Sequence, residues 1–372
     1  MKNEKSKNVD FAHKFPESIH LENDFFNNNQ SKNIKLAIVG ATGVVGSTLL
    51  KVLEKKNLPI KEYVFFASKR SAGKKIDFMN KSYEIIELNE QNLSNNFTYA
   101  IFCAGSEISE KYAPIAASNG CIVIDNSSYF RMNNNVPLIV PEVNSEDVFE
   151  HNGIISNPNC STIQAVVPLK PLHDKYKIKR IVYSTYQAVS GAGSKGIHDF
   201  ENGILNYIDN QDICENYYLK KFPHPIFSNC LPHIDDFVEN GNTKEEEKMI
   251  NETRKILHDQ NIKISATCVR VPVLNSHSES INLEFTEPFN YDELISVLSN
   301  SPGIMIQDDP KKTLYPLAIN TTNHDKVYVG RIRKDESIFS GINMWVVADN
   351  LRKGAATNAI QILELLLHTD NS

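Results

Sequence analysis

The sequence predicts an α/β chain in two parts. The first is a doubly wound domain on a parallel sheet; the second is an α+β domain with a mixed sheet. Three observations predict this. A compact apolar strand at 34–39 passes through a glycine-rich turn into an apolar helix. Strands and helices then alternate to about residue 156, the pattern of a parallel sheet. After Cys160 the alternation stops, and longer strands mix with helices.

Residues 1–33 are rich in Asn and Lys, with Asn27, Asn28 and Asn29 near their end, and read as a poorly ordered extension. Ile34 to Val39 is the first strand. Gly40-Ala41-Thr42-Gly43-Val44-Val45-Gly46 follows, and Ser47 to Leu53 reads as a helix. This is the layout of a dinucleotide phosphate loop. Glycines permit the tight turn and close backbone approach to a pyrophosphate, and the helix N-terminus attracts its charge. The spacing is GxxGxxG rather than GxGxxG, so the flanking strand and helix carry the reading.

Tyr63 to Ser68 is the next strand. An NAD site places an acidic residue at its end to hold the ribose hydroxyls. Here the chain reads Ser68-Lys69-Arg70-Ser71-Ala72-Gly73, whose hydroxyls and cations suit a 2′-phosphate and hence NADP; the alternative is a basic surface loop. A third strand, Tyr99 to Ser106, ends in small residues, so that Ala104 and Gly105 let a cofactor pass close. A helix at Ser109 to Asn119 and a strand at Cys121 to Ser128 continue the alternation. Residues 137–144 and 154–156 then lead into Ser156-Asn157-Pro158-Asn159-Cys160-Ser161-Thr162.

That turn has two readings. Pro158 holds the preceding backbone extended, Asn159 and its polar neighbours suit a helix N-cap, and an apolar run follows (Ile163, Ala165, Val166, Val167, Leu169). Cys160 is then either a small buried thiol in a helix-initiating turn or a nucleophile. In the second case the unpaired N–H groups and positive dipole end of the helix favour the thiolate.

In the second part, Lys179 to Val189 is strand-like and runs into a second flexible glycine-rich loop at 190–196. Thr243 to Leu257 is an amphipathic helix. Thr243 and Glu246 form a capping box, Met249, Ile250, Ile256 and Leu257 are available for burial, and the charges form a mostly solvated face. Further strands fall at Ile264 to Val273, Glu279 to Phe285, near Val327 and at Ile342 to Val347. A terminal helix opens near Asn350 and runs through Leu367. Arg270 and His277 are seven residues apart and face opposite sides of a straight strand. Pro272 and Asn275-Ser276 offer a break that turns both into one cleft; otherwise they are an ordinary surface pair.

Composition narrows the class. Of 372 residues 41% are hydrophobic, and the net charge is −6. With a pI near 6.0 nothing here advertises nucleic acid or an anionic membrane surface as a partner. No apolar run reaches a membrane span, and residues 1–10 lack the apolar core of a secretory signal. The six cysteines show no CxxC and no framework spacing, so they read as reduced thiols of a cytoplasmic protein.

Taken together, the blocks VGATGVVG, ASKRSAGK, CAGS, DNSSYFRM, VPLIVPEVN, SNPNCST, YQAVSGAG, TKEEEKM, RVPVLNSHSES and NLRKGAATNAIQI resemble the aspartate-semialdehyde dehydrogenase family, in family order from residue 34 to about 365. The resemblance implies a Rossmann-like NADP-binding domain at 34–159, completed by a C-terminal helix at 350–368. It also implies an α+β catalytic and dimerisation domain with a mixed sheet at 160–349. By the same resemblance Cys160 is the nucleophile, His277 the acid/base that deprotonates it, and Gln187 the residue that orients the acyl intermediate. Arg270 pairs with the substrate carboxylate, Arg131, Asn159 and Lys248 hold phosphate, and Glu245 shares the helix face of Lys248. Gly40, Thr42, Gly43, Val44, Val45, Ser68, Arg70, Ser71, Ala104, Ser190, Gly191 and Asn350 line NADP(H).

The implied reaction is reduction of L-aspartyl 4-phosphate to L-aspartate 4-semialdehyde with release of phosphate. It passes through a cysteine thioester that takes a hydride from NADPH, in biosynthesis of lysine and diaminopimelate, threonine, methionine and isoleucine. A homodimer is expected, and the chemistry requires no metal. The nearest alternatives are N-acetyl-glutamyl-phosphate reductase and a phosphorylating glyceraldehyde-3-phosphate dehydrogenase. The Asn-Pro-Asn-Cys-Ser-Thr turn and the Arg270–His277 block fit these less well. A non-catalytic NADP-binding protein is disfavoured because Cys160, Gln187, Arg270 and His277 are all present.

Overall fold

A computed structural model describes residues 33–210 and 219–369; the expected N-terminal extension, save residue 33, and Cys214 lie outside the described residues. The first part alternates β1 (Lys35–Val39), α1 (Val44–Leu53), β2 (Glu62–Ala67), a hairpin of β3 (Lys75–Phe78) and β4 (Lys81–Glu84), β5 (Ile86–Glu87), α2 (Glu90–Leu93), β6 (Tyr99–Phe102), α3 (Ser106–Ser118), β7 (Ile122–Asp125), α4 (Pro141–Asn144) and β8 (Ile154–Ser156). The sheet is parallel throughout, in the order β5-β2-β1-β6-β7-β8. This is the doubly wound, Rossmann-like order, whose crevice opens where connections diverge from β1 toward β2 on one side and β6 on the other. The hairpin carries no glycine turn: Met79 and Asn80 both adopt positive φ, which is why the sequence pattern did not reveal it.

The central helix α5 (Cys160–Tyr176) leaves this sheet and enters the second part. Twelve of its residues are buried, so it is enclosed nearly all round rather than lying on a surface with one solvated face. Then come β9 (Ile178–Gln187), α6 (Gly193–Asn210), α7 (Lys244–Ile256), β10 (Lys263–Arg270), β11 (His277–Phe285), α8 (Tyr291–Ser299), β12 (Ile304–Ile306), α9 (Ala318–Thr321), β13 (Val327–Lys334) and β14 (Gly341–Ala348). Their mixed sheet runs β10-β9-β11-β14-β13-β12. One face of it packs on α5, α7 and α8 through Ile181, Tyr183, Ile281, Leu283, Val346, Met249 and Leu294.

The chain ends in α10 (Thr357–Thr369), which returns to the first sheet. Ala359, Ile360, Leu363 and Leu366 join the core of Leu36, Ile38, Leu49 and Ile101. A π-helical turn at Arg352–Ala356 precedes it and packs against both α1 and α5.

Two local expectations change. The loop expected at 190–196 is a short 3-10 turn at Val189–Ala192 followed at once by α6, because a glycine penalty of about 1 kcal/mol per residue is small beside tertiary packing. The charges of α7 are not a solvated face: Glu245, Glu246 and Glu252 are all buried. All three carboxylates have partners inside the protein, which hydropathy alone does not register.

Gly40 closes the turn after β1 at φ +85, and a Cβ there would lie 2.7 Å from the Cys103 carbonyl oxygen beyond β6. Gly40→Ala is expected to cost about 2 kcal/mol, from left-handed strain and crowding together. A lowered urea midpoint at unchanged slope is the measurement; an unchanged midpoint would mean that the end of β6 gives way freely.

Candidate active site

Period-two alternation delivers three side chains to one place. Along β9 the inward positions are Ile181, Tyr183, Thr185 and finally Gln187; along β10 they are Ile264, Ala266, Cys268 and finally Arg270. Along β11 they begin with His277 and continue through Glu279, Ile281 and Leu283. β9 lies between the other two, parallel to β10 with Arg270 opposite Gln187, and antiparallel to β11 with Tyr186 opposite Ser278. Arg270 and His277 therefore close on the same end of β9. The break between them is the one the sequence suggested: β10 ends at Arg270, and Ser276 takes φ 70 immediately before β11. The Asn350 side-chain oxygen accepts from the Ser276 N–H at 2.9 Å and so holds that strained residue. A Cβ on Gly191 would lie 2.9 Å from Arg270 Nη1 and 3.1 Å from His277 Nε2, so only glycine fits over the pair.

Cys160 faces this cluster from the first residue of α5. Asn159 is the N-cap, and its side-chain oxygen accepts from the Ser161 and Thr162 N–H groups. Cys160 Sγ lies 3.3 Å from His277 Nε2. His277 is fully buried, while Cys160 retains partial exposure from the cleft. The Ala188 N–H donates to His277 Nδ1 at 3.0 Å, and the Ala188 carbonyl accepts from Arg270 Nη1 at 2.7 Å.

Glu245 binds these pieces together. Its Oε1 accepts from Asn159 Nδ2 at 3.0 Å and Gln187 Nε2 at 3.1 Å, and its Oε2 pairs with Lys248 Nζ at 3.0 Å. Burial opposes the charge, but Lys248, Arg270 and Gln187 outweigh it and hold the carboxyl at about 2. Lys248 also pairs with Asp235 at 2.5 Å, and burial of its ammonium is overcome by the two carboxylates, which raise it. Arg270 is buried, with no carboxylate at ion-pair distance among the described residues. Arg131 is held by Glu252 Oε1 at 3.1 Å and by the Asn157 and Asn126 carbonyls, which leaves two of its five N–H groups for a ligand.

Burial opposes the expected thiolate. Burial pushes the Cys160 thiol up to about 12, Glu245 adds to this, and the opposing pull of Arg270, Arg131 and Lys248 is smaller. Burial and then Arg270 push His277 down to about 3. Desolvation therefore favours a neutral thiol beside a neutral imidazole, against the pull of the neighbouring cations and the helix terminus.

The cofactor candidates fall in two groups. Gly40, Thr42, Gly43, Val44 and Val45 form the β1–α1 turn; Ser68, Arg70 and Ser71 follow β2, and Ala104 follows β6, all beside the crevice. Gly43 caps α1 with no side-chain hydrogen bond, so the first N–H groups of that helix are open to an anion. Ser190, Gly191 and Asn350 lie at the catalytic cluster instead, with Asn350 Nδ2 donating to Ser190 Oγ at 3.0 Å. Sequence reasoning missed Glu252, which accepts from the Asn159 N–H at 2.7 Å, and Asp235. Glu252 lies seven residues beyond Glu245, two helical turns on the same face, and that spacing was the available signal. It also missed Gly354, where a Cβ would lie 2.9 Å from Cys160 Cβ.

Comparison with known proteins adds a family. Residues 35–151 match the NAD binding domain of semialdehyde dehydrogenase, and residues 169–353 match its dimerisation domain. The chain is 54% identical over 335 residues to aspartate-semialdehyde dehydrogenase of Aquifex aeolicus, covering 90% of this chain and 98% of that protein. Among solved structures it is similar to aspartate semialdehyde dehydrogenase II of Vibrio cholerae complexed with ASA, with TM-score 0.85, 44% identity, and 91% and 99% of the two chains covered. It is also similar to the Candida albicans aspartate semialdehyde dehydrogenase with NADP, with TM-score 0.71, 25% identity, and 90% and 98% covered.

The neutral pair has a measurable consequence. Alkylation of Cys160 by iodoacetamide should rise about tenfold per pH unit between pH 7 and 9, following the thiolate fraction. Of the charged groups that act on it, Glu245 is held low and Lys248 is raised, so neither titrates in that window. A rate already level at neutral pH would indicate a preformed thiolate–imidazolium pair.

Proposed function

The chain belongs to the aspartate-semialdehyde dehydrogenase family, and from that premise we propose that it converts L-aspartyl 4-phosphate to L-aspartate 4-semialdehyde with NADPH, through a thioester on Cys160. The observation that carries this reading is the Cys160 sulfur 3.3 Å from His277, at a helix start beside a buried, carboxylate-free Arg270. A thiol is a strong nucleophile toward an acyl phosphate, and covalent capture divides one difficult reduction into two easier steps. Arg270 presents a planar fork to the substrate's α-carboxylate. Lys248 and the two open N–H groups of Arg131 receive the phosphoryl group, and Asn159 fixes the helix start between them. Gln187, held through its amide nitrogen by Glu245, orients the acyl group. The Cys160 N–H, which the Asn159 cap does not take, stabilises the oxyanion. His277 occupies the acid/base position next to sulfur.

The uncapped start of α1, the Gly40 turn and the small residues after β6 fit a dinucleotide. Bound there, the reduced nicotinamide supplies the hydride. Exposed Arg70 between Ser68 and Ser71 supports NADP over NAD, since no acidic side chain stands at the end of β2 to hold ribose hydroxyls. The match to a dimerisation domain, together with Tyr186, Tyr315 and Leu317 exposed on the open side of the mixed sheet, supports a homodimer. No helix among the described residues is long and apolar enough to cross a membrane. Reduced thiols at Cys103, Cys121, Cys160, Cys230 and Cys268 support a cytoplasmic enzyme. The product then feeds synthesis of lysine, threonine, methionine and isoleucine.

Turnover with aspartate semialdehyde, phosphate and NADP tests the reading directly. The wild-type protein should reduce NADP, and Cys160→Ala should lose at least about 10⁴-fold while still binding NADP. Arg270→Lys should raise KM for the semialdehyde and lower kcat by about tenfold or more, since the charge remains but the fork is lost. Lys248→Ala should act chiefly on phosphate KM. If Arg270→Lys moved only phosphate KM, the two anion sites would be exchanged.

Cofactor choice has its own test. Arg70→Ala should raise KM for NADP by about tenfold and leave KM for NAD nearly unchanged, as expected for loss of one charge-assisted contact to phosphate. Equal use of NAD and NADP by the wild type would overturn the assignment of the Ser68–Ser71 segment.

A further inference from the structure

The two cations assigned to the phosphoryl group come from different parts of the chain. Lys248 stands on α7, whereas Arg131 stands on the loop that follows β7. The two ends of that loop, Phe130 and Val136, are buried in a core on the first sheet. Between them Met132, Asn133, Asn134 and Asn135 are exposed. A polar surface loop of this kind does not by itself hold an arginine at a fixed distance from a helix of the other part. Lys255, in the last turn of α7, supplies the hold. Its Nζ donates to the Arg131 carbonyl at 2.7 Å and to the Asn133 and Val136 carbonyls at 2.8 Å each. An ammonium has three N–H groups, so all of them are spent on this one loop and none is left for a ligand. Glu252, one turn earlier, takes the same arginine by its side chain, accepting from Nη1 at 3.1 Å. Lys248, Glu252 and Lys255 follow one another at four and three residues and therefore share a face of α7.

We propose that Lys255 is a positioning residue for phosphate: by fastening the main chain of the Arg131 loop to α7, it sets the spacing between the Arg131 guanidinium and the Lys248 ammonium. This rests on the phosphate-binding reading above and deepens it. Arg131 is pinned at both ends. Its head bonds to Glu252 and to the Asn157 and Asn126 carbonyls, and its own carbonyl is held by Lys255. The head keeps those partners only while its main chain stays within reach. A loop released from α7 draws the guanidinium away from them, and the two N–H groups left for phosphate lose their direction. The planar fork of an arginine is sensitive to such a shift, whereas the rotatable ammonium of Lys248 is not. The hydrogen bonds of Lys255 go to neither Arg270 nor the cofactor crevice, so its loss falls on phosphate.

Steady-state kinetics of the full chain, with aspartate semialdehyde, phosphate and NADP varied in turn, test it. Lys255→Met removes the three donors at nearly constant length. It should raise phosphate KM about tenfold, the scale of one misplaced charge-assisted hydrogen bond, and leave the other two KM values within about twofold. Lys255→Arg supplies N–H groups in a plane that cannot meet all three carbonyls, so its phosphate KM should fall between those of Lys255→Met and the wild type. It carries the same test if Lys255→Met folds poorly. Hydrogen exchange gives a readout apart from activity: the amides of residues 131–136 should exchange faster in either variant, while those of β1 and β6 keep their protection. A double-mutant cycle then asks whether Lys255 acts through Arg131. Arg131→Met should raise phosphate KM at least about tenfold, and adding Lys255→Met should change it by no more than about twofold further. Full additivity would mean that Lys255 attracts phosphate by its own charge, and would overturn the proposal. So would a Lys255→Met enzyme whose three KM values are unchanged, or one that loses kcat and all three alike, as a merely structural lysine would. If Arg131→Met itself left phosphate KM unchanged, the assignment of Arg131 to phosphate would fall, and the proposal with it.

Discussion

The Glu245 carboxylate accepts hydrogen bonds from three parts of the chain: Asn159 at the start of α5, Gln187 at the end of β9, and Lys248 one turn along its own helix. An unpartnered carboxylate in this position would lose several kcal/mol to desolvation. Partners on both oxygens offset that loss, and the group stays ionised. Once it is charged, none of the three elements can shift without uncovering it. Glu252 repeats the device two turns further along α7, with Asn159 N–H and Arg131 as partners. Glu246 does so toward β10, where its Oε1 accepts from the Cys268 N–H at 3.1 Å. A single helix, entered through the Thr243–Glu246 capping box, thus sets the distance between the nucleophile's helix and the sheet that carries its partners.

The cleft that results is electrostatically unfinished. Among the described residues no carboxylate lies at ion-pair distance from buried Arg270, and burial disfavours charge on Cys160 and His277 beside it. A buried cation left unpaired is unfavourable, and an anionic ligand relieves it. One layer deeper, Glu279 lies on the same face of β11 as His277, with its carboxyl raised well above the usual range by burial. A neutral acid there adds no charge beneath the pair.

The C-terminal segment connects this cleft to the first sheet. Lys353, fully buried, pairs with Glu142 at 2.6 Å and bonds to Asn358 and Gln361. Asn358 in turn donates to Asn157, just before the nucleophile turn. The π-helical turn beside it brings Gly354 against Cys160, at a point where an ordinary helical residue would not fit. The final helix therefore completes the core of the first sheet and forms the back of the site together.

Local pattern determined much of this. The strand–glycine–helix unit, the alternation to β8, the Asn159 cap and the capping box of α7 are set by neighbours within a few residues, and each is legible in the chain. The blocks around Cys160, Gln187, Arg270 and His277 were legible as a set through their resemblance to a family. What the sequence could not supply depends on contacts between residues far apart. The β9 strand lies between β10 and β11 only because of the sheet order, and this is what brings Arg270 and His277 to one cleft. The burial of Glu245 and Glu252 needs partners 58 to 121 residues away, so their charges looked solvated. The glycine loop at 190–196 became helical through packing that outweighs local propensity. The protonation of Cys160 and His277 was the furthest from reach. A helix start favours a thiolate, but desolvation exceeds that preference, and only the folded chain decides how much water remains.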